Sequence, residues 1–101
     1  MNIETLLSDD GKKLTLTVSG KMDVTLYKEF NDSYKDKIDL VSKVALDFKD
    51  VEYVDSSGLG MLLVLRERSG GDAADIDIIN VNPDVKKILE TTNFQYLFNV
   101  Q

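Results

Sequence analysis

Val44-Ala45-Leu46-Asp47-Phe48, then Asp55-Ser56-Ser57-Gly58-Leu59-Gly60, then Met61-Leu62-Leu63-Val64-Leu65-Arg66: this stretch sets the architecture of the chain. The first run is short, apolar and rich in strand formers, and the last reads as helix. The hexapeptide between them is a strand-to-helix junction that carries two small hydroxyl residues. Such residues cap the helix by accepting hydrogen bonds from its free N–H groups. Alternatively they carry chemistry where those groups and the helix dipole favour negative charge. One of the two serines is expected to do both, at different times. The helix should start near Ser57 and run to about Arg68, and Gly70-Gly71 ends it, because glycine tolerates the left-handed conformation beyond helix ends.

Upstream, Ile3 to Leu7 is a candidate first strand, and Ser8-Asp9-Asp10-Gly11-Lys12 supplies turn residues. Leu14-Thr15-Leu16-Thr17-Val18 alternates apolar and polar, the period of a half-buried strand, and Gly20 closes it. Asp23 is placed to cap a helix from Val24 to about Ile38, whose inner face would be Tyr27, Phe30, Tyr34 and Ile38. Lys28, Glu29, Asp32, Lys35 and Asp36 read as its solvated side. Leu40 to Lys43 connects to the strand Val44–Phe48, which is apolar enough to be central and covered on at least one face. Lys49-Asp50-Val51-Glu52 reads as a loop.

Downstream, Asp75-Ile76-Asp77-Ile78-Ile79 is the next strand. Asn82-Pro83-Asp84 is a helix start, with a capping Asn, Pro at the first helical position and an acid in the first turn. Val85, Ile88 and Leu89 form the stripe of that helix, which ends near Thr92-Asn93. Phe94, Tyr96, Leu97, Phe98 and Val100 form a closing edge strand. The expected fold class is α/β: one domain over residues 1–101, order β-β-α-β-α-β-α-β, with a mixed sheet of four to five strands and helices packed against it.

Composition narrows the chemistry. A chain of 101 residues suits one core. With 43% hydrophobic and 30% charged residues, disorder is not expected. The net charge of −6 and the lack of a Lys/Arg run argue against nucleic-acid binding. Cysteine and histidine are absent, which removes disulfides, thiol nucleophiles, most zinc sites and the commonest general base. The longest apolar run, Met61 to Leu65, is too short to cross a bilayer, so direct membrane insertion is not expected. Met1-Asn2-Ile3-Glu4 lacks the basic and apolar regions of a secretory signal, which makes a cytoplasmic protein the default.

A nucleophilic serine needs a base within reach. Without histidine that base would be Asp55, another carboxylate or a lysine, and the Gly-x-Ser-x-Gly elbow is missing, so the chain is not read as an enzyme and no catalytic residue is assigned. Gly58-x-Gly60 is only a fragment of a phosphate-cradling loop, and close helix packing explains these glycines equally well. Asp23, Asp47, Asp50 and Asp55 on one sheet edge would be able to hold a divalent cation, but capping or solvated carboxylates are commoner there. The expectation is no metal and no cofactor. What remains is a modification site. A phosphate on Ser56 would sit at a helix N-terminus, where it is stabilised, and would add roughly −1.5 to −2 charges beside Asp55.

Asp55-Ser56-Ser57-Gly58-Leu59-Gly60 resembles the signature of STAS domains, in particular the bacterial anti-sigma factor antagonists. Gly20-Lys21-Met22-Asp23 resembles the family's Gly-x-Leu-Asp after the second strand, with Met in place of Leu. Val44 to Phe48 followed by Val54 resembles its central strand, and Gly70-Gly71 matches its break after the second helix. Asn82-Pro83 with Val85 and Leu89, then Phe94 and Leu97-Phe98, resembles its C-terminal end. The resemblance spans nearly the whole chain and implies a mechanism. Ser56, directly after the motif Asp, would be phosphorylated by an anti-sigma factor that is also a serine kinase. The unphosphorylated form would bind that kinase and free the sigma factor, and a PP2C-type phosphatase would restore it. The resemblance gives Asp23 a supporting role near Ser56. Asp55, Ser57 and Gly58 complete the phosphosite, with Ser57 read as structural.

The helix after the motif is apolar almost all round, whereas a helix on a sheet buries only a stripe. With Leu59, Leu62 and Leu63 toward the sheet, Met61 and Val64 would lean outward. A partner surface is therefore expected at Leu59, Gly60, Met61 and Val64, unless neighbouring helices cover it. The alternative function is a STAS-type interaction subunit of another signalling or transport-associated assembly, without phosphorylation. Nucleotide binding is a weaker third option.

Overall fold

Alternating apolar residues build the first hairpin. In the computed structural model, which describes residues 2–101, β1 (Ile3–Leu7) pairs antiparallel with β2 (Lys13–Met22). The Ser8 hydroxyl donates to the Asp10 carboxylate (2.7 Å), which also accepts from the Lys12 amide (3.0 Å) and so closes the turn. Met1, the first residue of the expected domain, lies outside the described residues. β2 does not stop at Gly20 as expected. Gly20 takes φ of 86° inside the strand, a conformation glycine adopts without strain, and Met22 beyond it is buried again.

The long central strand departs most from the sequence reading. β3 (Lys43–Val54) includes the segment Lys49-Asp50-Val51-Glu52, expected as a loop. β3 pairs parallel with β2, and the register slips between Thr17↔Asp47 and Ser19↔Asp50, and again between Gly20↔Val51 and Lys21↔Tyr53. Each slip adds one residue to β3 and exchanges the parity that faces the core. The core-facing positions are thus Val44, Leu46 and Phe48, then Val51, then Val54, with the small Ala45 buried besides. A spacing that changes from two to three looks like the end of a strand when only alternation is sought.

β4 (Ile76–Ile79) and β5 (Asn99–Val100) add parallel to the far side, which gives a five-stranded mixed sheet in the order β1-β2-β3-β4-β5. Registered rows of Leu14, Val44 and Ile76, and of Leu16, Leu46 and Ile78, form one apolar face. The helices α1 (Tyr27–Tyr34), α2 (Ser56–Arg68) and α3 (Pro83–Thr91) bury their inner faces in the core that this side of the sheet founds. α1 packs against β1 and α2, α2 against β2 and β3, and α3 against β3. The opposite face carries Lys13, Thr15, Thr17, Lys43 and Asp77, with Lys43 held between Asp75 and Asp77 (3.2 Å each).

The first helix is shorter than expected and turned. A 3₁₀ turn, Val24–Leu26, precedes α1. Its tighter winding puts Leu26 inside with Phe30, Tyr34 and Ile38, while Tyr27, expected on the inner face, is 54% exposed. Phe30 and Tyr34 meet edge to face at 5.6 Å. After α3 the chain turns through Phe94–Tyr96, stacks Phe94 on Phe98 at 5.4 Å, and ends in β5, the expected edge strand, here only two residues long.

Candidate functional site

Three helical segments begin at the C-terminal edge of the parallel strands, and each is capped by an Asx side chain. The Asp23 carboxylate accepts from the Thr25 amide (3.0 Å) and from the Thr25 hydroxyl. The Asp55 carboxylate accepts from the Gly58 amide (2.9 Å). Asn82 Oδ1 accepts from the Val85 amide (2.8 Å), and its Nδ2 donates to the Val51 carbonyl (2.9 Å). That last bond ties the start of α3 to the irregular part of β3.

Asp23 and Asp55 follow Met22 and Val54, which are partners in the β2–β3 register. The Asp55 amide donates back to the Met22 carbonyl (3.2 Å). The two aspartates thus leave adjacent strands side by side. The Thr25 hydroxyl, and then its amide, hold the Asp23 carboxyl below the usual carboxylate range. Neither carboxylate is hydrogen-bonded to a serine. The cap of α2 is therefore Asp55, not Ser56 or Ser57, which corrects the expected serine cap. Asp is as good a cap as Ser and stands one residue earlier.

Freed from capping, Ser56 and Ser57 are the first two helical residues, and both are exposed. Their amides have no intrahelical acceptor, as at any helix start. Ser56 thus offers a solvent-facing hydroxyl at the positive end of α2.

Gly58 sets how α2 sits. A Cβ there would lie 2.3 Å from the Met22 carbonyl oxygen and 2.8 Å from Val54 Cγ1, so only glycine lets the helix rest on the ends of β2 and β3. Gly58, Met61, Leu62 and Leu65 are the buried residues of α2, a stripe spaced by three and four. Met61, expected to lean outward, is only 4% exposed, and Leu63, expected to face the sheet, is 40% exposed. Val64 is exposed as expected, and Leu59 is half-buried against the core. Gly60 is exposed, and a Cβ there would have nothing within 4 Å. Leu63 therefore takes the place given to Met61 on the outer surface. The signal that would have found it is Gly58: a glycine read as the contact point places residues three, four and seven further on inside.

The same edge carries further exposed apolar groups. Val24 opens the 3₁₀ turn before α1, Tyr27 stands at the start of α1, and Tyr53 receives Lys21 over its ring at 5.8 Å. Asp47 is engaged by Asn80 (3.1 Å) and the Lys49 amide (3.1 Å). Asp23, Asp47, Asp50 and Asp55 do not converge, and no cluster of three or more metal-ligating side chains occurs among the described residues.

The model of the STAS domain matches residues 3–101. The chain belongs to the STAS domain family. A STAS-domain containing protein of Pseudomonas aeruginosa (strain UCBPP-PA14) is 39% identical over 100 residues, which is 99% of each chain. Among solved structures, this STAS domain is similar to a candidate anti-sigma factor antagonist of Thermotoga maritima, with a TM-score of 0.82 and 19% identity over 97% of this chain and 84% of that one. It is also similar to the anti-sigma factor antagonist SpoIIAA. In the unphosphorylated form the TM-score is 0.70 at 17% identity, over 87% and 81% of the two chains. In the phosphorylated form, from Bacillus, it is 0.70 at 14%, over 98% and 90%. At such identities these likenesses establish the shared STAS fold. No helix among the described residues is long and apolar enough to cross a membrane.

Proposed function

We propose that this STAS domain is an anti-sigma factor antagonist switched by phosphorylation of Ser56. Unphosphorylated, it binds an anti-sigma factor that is also a serine kinase, and so releases a sigma factor for transcription in the cytoplasm. Phosphorylated, it lets go, and a PP2C-type phosphatase resets it. The observation that carries this reading is the exposed Ser56 at the first position of α2, beside an outer helix face bearing Leu63 and Val64. The resemblance to SpoIIAA, solved in both phosphorylation states, supports the same reading.

In the transfer, Ser56 Oγ forms a bond to the γ-phosphorus of ATP, the bond to the bridging oxygen breaks and ADP leaves. The hydroxyl proton passes to a base of the kinase, because Asp23 and Asp55 are occupied by Thr25 and Gly58. The phosphate then meets the free amides and the helix dipole, which keep the domain folded. Its charge acts on the partner instead. Two unit charges about 4 Å apart interact by roughly 4 kcal/mol at an effective dielectric of 20. A dianion facing an acidic or apolar surface then weakens binding by on the order of 10²–10³-fold after screening.

The test is incubation with the cognate kinase and ATP, followed by mapping of the product. Phosphate on Ser56, absent in Ser56→Ala, is the expected result, and an unmodified Ser56 overturns the reading. A pull-down that returns a transporter or scaffold component in place of a sigma-regulating kinase would favour the other STAS role, an interaction subunit of a different assembly.

A further inference from the structure

The two glycines of the motif are used in opposite ways. Gly58 is demanded by the fold, because any side chain there strikes the Met22 carbonyl. Gly60 is not: it is helical, exposed, and has open space where a Cβ would be. Glycine inside a helix is destabilising relative to alanine, so nothing within the domain explains its presence. Its position does. Gly60 lies four residues after Ser56, directly above it on the same helix face, and helical Cβ atoms tilt toward the N-terminus. A side chain at position 60 would lean over the Ser56 hydroxyl, at the separation of about 5–6 Å usual for such pairs. Leu59 and Leu63 flank this gap, one half-buried and the other exposed.

We propose that Gly60 is the clearance residue of the Ser56 site: its missing side chain opens the path by which the active-site cleft of a modifying enzyme closes over the hydroxyl or its phosphate. The role rests on the phosphorylation reading above, but it is measurable without the natural enzymes. In dephosphorylation, water attacks phosphorus, the P–Oγ bond breaks, and Oγ leaves with a proton as the serine hydroxyl. That requires an enzyme cleft to surround the phosphate, which a side chain at position 60 would obstruct.

The experiment installs phosphoserine at position 56 during translation in the parent, Gly60→Ala and Gly60→Leu. It then follows release of inorganic phosphate by a purified PP2C-type phosphatase domain, with melting temperatures measured in parallel. The melting temperature of Gly60→Ala should rise by about 3–6 °C, the shift typical of a replaced helix glycine in a domain of this size. Its phosphate release should slow by roughly threefold, and that of Gly60→Leu by tenfold or more, without loss of folding. Equal rates in all three proteins overturn the proposal, as does a lower melting temperature for Gly60→Ala, which would give the glycine a structural purpose. A separate labelling of the unmodified parent by its cognate kinase keeps the two readings apart. Ser56 labelled in the parent, with phosphate release independent of residue 60, refutes the clearance role alone. Unlabelled Ser56 with slowed release from Gly60→Leu refutes the natural phosphosite alone.

Discussion

Helix α3 hides its apolar residues and helix α2 does not. Both leave the C-terminal end of a parallel strand through an Asx cap, and both pack on the same side of the sheet. In α3, Val85 and Leu89 are buried and Ile88 is half-buried, while Lys86, Lys87 and Glu90 face water. The fold accounts for each of these. In α2 it accounts for Gly58, Met61, Leu62 and Leu65 and leaves Leu63 and Val64 exposed and Gly60 bare. Under the proposed function, these exposed apolar side chains beside an accessible serine are the contact surface for the partner. The same local rules thus yield one helix that completes the core and one that also presents a surface.

The largest expected effects test the inner faces. Leu89→Ala in α3 and Leu62→Ala in α2 should each cost about 2–5 kcal/mol in urea unfolding, and Gly58→Ala roughly 3 kcal/mol because the clash is with backbone. A mild Leu62→Ala would mean that α2 is not anchored as described. Next comes the switch. Ser56→Asp should weaken binding to the anti-sigma partner by about 10²–10³-fold, read by titration calorimetry, with the melting temperature within a few degrees of the parent; equal affinities would remove the charge from the account. Leu63→Ser should change stability by less than about 0.5 kcal/mol and still lower affinity roughly tenfold, a loss typical of a contact residue. If Leu63→Ser unfolds the domain instead, the contrast between α2 and α3 disappears. Smaller again are the caps: Asp55→Ala and Asn82→Ala should each cost about 1 kcal/mol, Asn82→Ala the more, since it also strands the Val51 carbonyl.

The smallest effect is in pH. The Thr25 hydroxyl and amide depress the Asp23 carboxyl in the folded state. A depressed carboxyl stabilises the fold above its unfolded value of about 3.9 and loses that contribution as pH falls through the folded value. Thr25→Val removes the hydroxyl donor. Its melting temperature should lie slightly below the parent's at pH 7, and the two should converge as the solution is acidified below about pH 4. A gap that persists at low pH would assign the loss to packing.

The element order, the hairpin, the Asn82-Pro83 start and the Ser56 position were all legible in the residues. Each is written locally, in a turn sequence, a cap or a short periodic run. What differs from the sequence reading depends on strand register, on the winding of one turn and on how α2 is seated. β3 reads in the sequence as ending at Phe48 because its register slips against β2 at two places, and register belongs to a pair of strands. Leu26 takes the inner place expected of Tyr27 because a 3₁₀ turn sets the phase of α1. Met61 and Leu63 exchanged roles because a helix apolar on all sides carries no phase of its own. Local chemistry, then, determined that a helix starts at the Ser56-Ser57 pair after a strand, with an acid before it and glycines after it. Only the tertiary structure decided that Gly58 presses that helix onto Met22 and Val54, and that Leu63, Val64 and the gap at Gly60 are therefore left on the outer surface. The orientation of a helix is fixed by its closest contact, and that contact joins residues 22 and 58, far apart in the chain.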